Sequence, residues 1–145
     1  MTLLPPHIAT LSFIGGLLLH WLLPGLRLLP NLPLVGLVLL ALGLGLVLWA
    51  FSEFQRHKTP VIPTSIPTAF VADGPYRFTR NPMYLGLTLV LAAIGFWVGS
   101  LPLLLAAPAF LLIINQTYIP YEEAKLRRIF GSSYEQYLGR VRRWI

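Results

Sequence analysis

Cysteine is absent from all 145 residues, so the chain has no disulfide, no thiolate nucleophile and no thiolate metal ligand. Charge is scarce as well: 11% of residues are charged, against about a quarter in an ordinary soluble domain. Acids are the scarcer sign, five Asp and Glu beside eleven Lys and Arg, for a net charge of +6. Histidine is limited to His7, His20 and His57, which are far apart and lack i, i+4 spacing. No metal site is expected from them. The opening segment has neither a basic n-region nor a clear small-residue cleavage site, so its apolar run is read as a retained span.

What the chain has in abundance is apolar sequence, 56% by the usual residue set. Four apolar stretches, residues 8–29, 32–52, 82–98 and 101–119, approach the ~20 residues that cross hydrocarbon. Pro24-Gly25 interrupts the first. Pro30-Asn31-Leu32-Pro33 and Gly99-Ser100-Leu101-Pro102 mark tight turns. The connection over residues 53–81 is long, and Pro60, Pro63 and Pro67 favour extended backbone there. The expected fold is therefore all-α and membrane-integral: about four transmembrane helices in a single domain, residues 1–145, with a tail over 120–145.

Basic residues set the orientation. Arg56, Lys58, Arg77 and Arg80 lie in the long loop, and Lys125, Arg127, Arg128, Arg140, Arg142 and Arg143 in the tail, whereas Arg27 alone lies in the first hairpin. The long loop and both termini are expected on the cytoplasmic side. Such a face attracts anionic lipids. Membrane lipids and a lipophilic small molecule are the expected partners. Nucleic acid is not, because the basic residues adjoin membrane and no nucleic-acid motif occurs. Oligomeric state is not legible: Gly95-x-x-x-Gly99 and the Gly36/Gly43 pair are close-packing faces that serve within one chain or between chains.

The tail is read as two short helices. Glu122 and Glu123 are expected to open the first, Lys125, Arg127 and Arg128 to close it, and Gly131 to stop it. Ser132-Ser133-Tyr134-Glu135 reads as a capping box for an amphipathic interfacial helix whose face carries Tyr134, Tyr137, Leu138 and Val141. His20, inside the first span, reads as a neutral hydrogen-bonded histidine.

Polar chemistry can assemble only where the long loop, the start of the third span and the tail meet. Residues 74–86 read Gly-Pro-Tyr-Arg-Phe-Thr-Arg-Asn-Pro-Met-Tyr-Leu-Gly. Asn81 suits an N-cap and Pro82 the first helical position. The free N–H groups beside Arg77 and Arg80 would receive an anion, or the segment is a positive-inside anchor. A carboxylate there calls for a partner, either a loop arginine or an i, i+4 pair, and Glu123 is in register with Arg127 for the latter. Glu122 has Leu126 at that spacing, so no local partner explains it.

The Gly-Pro-Tyr-Arg-x-x-Arg-Asn-Pro-Met-Tyr-Leu-Gly segment, followed across one hairpin by Glu-Glu-Ala-Lys-Leu-x-x-x-Phe-Gly-x-x-Tyr-x-x-Tyr, resembles the isoprenylcysteine carboxyl methyltransferase-like family, itself related to the phospholipid methyltransferases. The resemblance covers roughly residues 59–143. It implies an enzyme that moves a methyl group from S-adenosylmethionine to a lipophilic acceptor of the isoprenylcysteine carboxylate, thiol or lipid amine type. It also implies donor contacts from Thr68, Ala69, Phe70 and Val71 on the adenosine side, from Tyr76, and from Asn81, Pro82, Met83 and Tyr84 at the helix start, with Glu122 receiving the α-ammonium. Arg80, Tyr84 and Tyr118 are the residues expected to position the acceptor. Asn81 stands where many members have histidine, and Tyr118 where eukaryotic members have an arginine associated with the substrate carboxylate. Two other readings are a non-catalytic membrane subunit or lipid-binding scaffold, and an NADPH-dependent membrane reductase, for which the chain offers little room.

Overall fold

A computed structural model describes residues 4–26 and 29–145. Arg27, in the expected first hairpin, lies outside them. Six α-helices form among the described residues: α1 Pro5–Leu22, α2 Pro33–Arg56, α3 Pro82–Val98, α4 Leu101–Gln116, α5 Tyr118–Phe130 and α6 Ser132–Arg140. Short 3-10 turns occupy Pro24–Leu26 and Gly74–Arg77. No strand occurs among the described residues. The apolar run at 8–29 thus ends early as a helix, because Pro24 cannot continue the hydrogen-bond ladder. Residues 82–98 match α3.

Two helical stretches are long and apolar enough to cross a membrane: α2, and the near-continuous run Leu101–Phe130 formed by α4 and α5. α3 is apolar but shorter. Among the described residues α3 lies between α2 and α4, and α1 packs chiefly on α4. The glycine faces act within the chain. A Cβ on Gly86 would stand 2.6 Å from Val47 Cγ2 and 2.7 Å from the Gly43 carbonyl, and one on Gly95 would stand 2.5 Å from Leu104 Cα. These positions hold α2 against α3 and α3 against α4. His20 Nδ1 lies 2.9 Å from Ser100 Oγ in a buried pair between α1 and the start of α4.

Several local expectations change. Asn81 is the N-cap of α3, but its side chain makes no capping bond; Nδ2 donates to the Arg143 carbonyl at 2.9 Å instead. α5 begins at Tyr118, so Glu122 and Glu123 sit beyond its first turn rather than opening it. Ser132 is already helical, with Gly131 as N-cap and no side-chain cap, so the capping box does not form. Gly131 does end α5, in a positive-φ conformation of 51° that favours glycine. The tyrosine face of α6 meets protein rather than lipid: Tyr134 and Tyr137 are buried, and Phe70 of the long loop packs edge-on against both.

Candidate active site at the loop face

The long loop, the first residues of α1, the start of α3, α5 and α6 enclose a cavity of about 610 Å³. That is within the ~300–1,000 Å³ common for small-molecule sites. Three contacts hold its roof. Thr59 Oγ1 accepts from the backbone of Thr68 at 3.0 Å, which fixes the return of the loop. Lys125 Nζ donates to the carbonyls of Pro63 and Ser65, tying the proline-rich stretch to α5. Tyr137 Oη donates to the Tyr76 carbonyl at 2.7 Å.

The chain's last residues brace the opposite wall. Arg142 and Arg143 offer carbonyls to Arg80 N at 3.0 Å and to Thr79 Oγ1 at 3.1 Å. The Arg143 guanidinium donates to Glu123 at 2.7 Å and to Asn115 at 3.3 Å. Glu123 also receives Arg80 at 3.1 Å. Glu123 is therefore ion-paired, with Arg80 and Arg143 rather than with the expected Arg127, which turns to Glu135 at 2.8 Å. Tertiary geometry overrode the i, i+4 register, because Glu123 faces inward and Arg127 faces out.

Of the residues singled out from sequence, Ala69, Phe70, Val71, Tyr76, Arg80, Asn81, Met83, Tyr84 and Glu122 line this cavity together. Thr68 does not; its hydroxyl donates to the Lys58 carbonyl at 3.1 Å and its role is in the loop's turn. Pro82 is fully buried behind the wall. Tyr118 lines a separate groove. Arg77 is exposed and outside the cavity, so Arg80 is the arginine at the helix start that reaches it. Val47, Phe51 and Phe54 from α2, which carried no sequence signal, complete the lining with Lys125 from α5, which was read only as closing a helix. Tyr134 and Tyr137 were visible as a helix face, but nothing in the pattern said which side would cover it.

Glu122 is the electrostatic centre. Tyr84 Oη donates to its Oε1 at 2.8 Å, joining α3 to α5. No basic group closes an ion pair with Glu122 among the described residues, in contrast to its neighbour Glu123. Burial pushes its carboxyl up to about 7, against the lowering effects of the Tyr84 hydrogen bond and the Lys125 charge. Burial also pushes Lys125 down and Tyr76 up. Arg80 adds a second unmet demand: its Nε is buried without a hydrogen-bond partner. The cavity thus presents an acid without an ion-pair partner and the positive charge of Arg80, beside an aromatic wall of Phe70, Tyr76, Tyr134 and Tyr137. A ligand carrying ammonium, carboxylate and a flat ring would complement the acid, the arginine charge and the aromatic wall.

A family model described as phospholipid methyltransferase matches residues 32–133. An uncharacterised Haemophilus influenzae protein is 43% identical over 63 residues, 43% of this chain and all of that protein. A probable protein-S-isoprenylcysteine O-methyltransferase of Oryza sativa is 31% identical over 116 residues, 74% of this chain and 57% of its own. The Arabidopsis thaliana protein-S-isoprenylcysteine O-methyltransferase B is 29% identical over 144 residues, 93% of this chain and 65% of its own. The chain thus spans less than two thirds of the length of either plant relative. No solved structure matches it.

Proposed function

Because the chain belongs to the phospholipid methyltransferase family, with isoprenylcysteine O-methyltransferases among its relatives, we propose that it transfers a methyl group from S-adenosylmethionine to a lipophilic acceptor at one face of a membrane. In this reading α1–α4 cross the bilayer and the loop face is cytoplasmic, as the basic residues favour. The observation that carries the proposal is the meeting of Tyr84 and Glu122, 38 residues apart, around a carboxylate left without a cation.

The cavity fits the donor. Glu122 would hold the α-ammonium and Tyr84 would orient that carboxylate. Arg80, which lines the cavity, would attract the α-carboxylate by its charge. Phe70 and its tyrosine neighbours offer faces to the adenine, and Tyr76 a face to the cationic sulfur. The donor supplies an electrophilic methyl group on sulfonium. The chain's share is to align that carbon with the acceptor and exclude water, and alignment alone supplies several kcal/mol of a displacement barrier. A thiolate or carboxylate acceptor needs no base. Acceptor identity belongs to the lipophilic small-molecule class, with thiol, carboxylate and amine heads to be compared.

Incubation of the purified protein with tritium-labelled methyl donor and a membrane lipid extract tests the reading. Label is expected in organic-soluble product, dependent on intact Glu122. Label that remains wholly in the aqueous phase across thiol, carboxylate and amine acceptors would count against it.

The titration of Glu122 gives a second prediction. The ammonium requires the ionised carboxylate, so donor binding must take a proton off Glu122 wherever the group is protonated. With a carboxyl near 7, apparent affinity should fall about fivefold between pH 7 and pH 6, and Glu122→Gln should remove this acid-side slope. Calorimetric titrations at the two pH values check it. A flat acid limb in the unmodified protein would contradict the assigned partner.

A further inference from the structure

The proline-rich segment over residues 60–67 is the least anchored wall of the cavity. None of its residues is buried, and Ile62 and Ile66 are 53% and 75% exposed. Yet Pro60, Val61, Ile62, Pro63, Ser65 and Pro67 all line the cavity. The two ends of the segment are pinned together: Thr59 Oγ1 accepts from Thr68 N at 3.0 Å, and the Thr68 hydroxyl donates to the Lys58 carbonyl at 3.1 Å. Between those ends, among the described residues, the hydrogen bonds to the rest of the chain all come from one group, Lys125 Nζ, which donates to the carbonyls of Pro63 and Ser65. A segment with so few buried contacts opens at low cost. Its three prolines restrict the backbone, so it swings on the pinned ends as a stiff flap.

Lys125 has a competing acceptor close by. It follows Glu122 by three residues on α5, a spacing that makes neighbours on a helix surface. Both side chains line the cavity, and each feels the charge of the other. A lysine ammonium sits on a flexible stem and redirects by rotation about its own bonds. In the structure it points to the flap. Two ammonium groups therefore compete for the Glu122 carboxylate: that of Lys125 and, in the proposed reading, the α-ammonium of the methyl donor. Where the donor holds the carboxylate, the flap carbonyls are the acceptors left to Lys125.

We infer that Lys125 is a positioning residue that latches the 60–67 flap over the methyl donor, exchanging between the Pro63 and Ser65 carbonyls when Glu122 is occupied and the Glu122 carboxylate when it is not. The donor thus closes its own site, because its ammonium displaces Lys125 onto the flap. Coupling of this kind is reciprocal, so a lost latch also weakens retention of the donor. The donor's part in the exchange rests on the proposed methyltransferase reading; the exchange of Lys125 between flap and carboxylate does not.

The chain has no cysteine, so a nitroxide on Ile66→Cys reports the flap alone. The test records its spin-resonance spectrum in the full detergent-solubilised chain, with and without S-adenosylmethionine, and follows the release of labelled S-adenosylmethionine. S-adenosylmethionine is expected to slow the nitroxide. Glu122→Gln should slow it with no ligand added, because Lys125 then has no carboxylate to cross to. Lys125→Met should leave the nitroxide mobile throughout and speed S-adenosylmethionine release about tenfold, the worth of one hydrogen bond to a charged group. Lys125→Arg, which can donate to both carbonyls, should restore slow release. Equal mobility in the parent and in Glu122→Gln would overturn the latch, as would saturable S-adenosylmethionine binding that leaves the flap mobile. Slowing by Glu122→Gln in a protein that binds no S-adenosylmethionine would uphold the Lys125 exchange and remove the methyltransferase reading.

Discussion

Replacing Glu122 by glutamine is expected to weaken S-adenosylmethionine binding about a hundredfold while leaving the protein folded, because removing one charge from a desolvated pair costs about 2–5 kcal/mol. The fold should survive for a local reason. Tyr84 donates to Glu122 at 2.8 Å, and the amide oxygen of glutamine accepts the same bond. Lys125 feels the Glu122 charge but is held by the carbonyls of Pro63 and Ser65, so neutralising Glu122 breaks no ion pair among the described residues. The melting temperature in detergent should stay level or rise slightly, since the change relieves a desolvated acid whose carboxyl is already pushed up to about 7. Calorimetry with a parallel melt separates the two effects. A large drop in melting temperature with donor affinity retained would mean that Glu122 is a structural acid.

Removing the neighbouring side chain should do the reverse. Glu123→Ala is expected to destabilise the protein by about 3 kcal/mol, because it strips the shared carboxylate from two arginines. Arg80 and Arg143 stand 3.1 and 2.7 Å from it, with side chains 16% and 33% exposed. The one-third exposure of Arg143 moderates the penalty, so the figure belongs at the low end for a broken buried pair. Freed of Glu123, the last residues lose a tether that keeps the Arg142 and Arg143 carbonyls on the loop before α3. Faster proteolysis of the C-terminal segment and a lower melting temperature should appear together. Unchanged values for both would show that the bonds which Arg80 N, Thr79 Oγ1 and Asn81 Nδ2 give to those carbonyls suffice.

The contrast between these adjacent acids shows what the sequence could and could not carry. Glu122 stood out because position 126 is leucine, and the structure leaves it without a cation. Glu123 was legible as an ion-paired residue with a loop arginine among the open partners, but the choice of Arg80 and Arg143 was not, since only tertiary folding brings those segments together. Helix positions followed the apolar runs and proline punctuation closely, most clearly at Asn81-Pro82. Capping was less legible, because Asn81 uses its amide on Arg143 and Ser132 is absorbed into α6. The lining from Ala69 to Val71 and at Met83-Tyr84 came with the family resemblance. The α2 aromatics and the closing roles of Lys125 and the α6 tyrosines did not. Long-range packing decides which face of a helix is covered, and amphipathicity alone says only that some face will be.

The central claim is that this cavity holds S-adenosylmethionine, with Glu122 on its ammonium. Titration of S-adenosylmethionine, and separately of NADPH, into the folded, detergent-solubilised protein tests it most directly. Saturable heat with S-adenosylmethionine, absent with NADPH and lost in Glu122→Gln, is the predicted result. A folded protein that binds neither compound would contradict the account and favour a non-catalytic, lipid-binding membrane subunit.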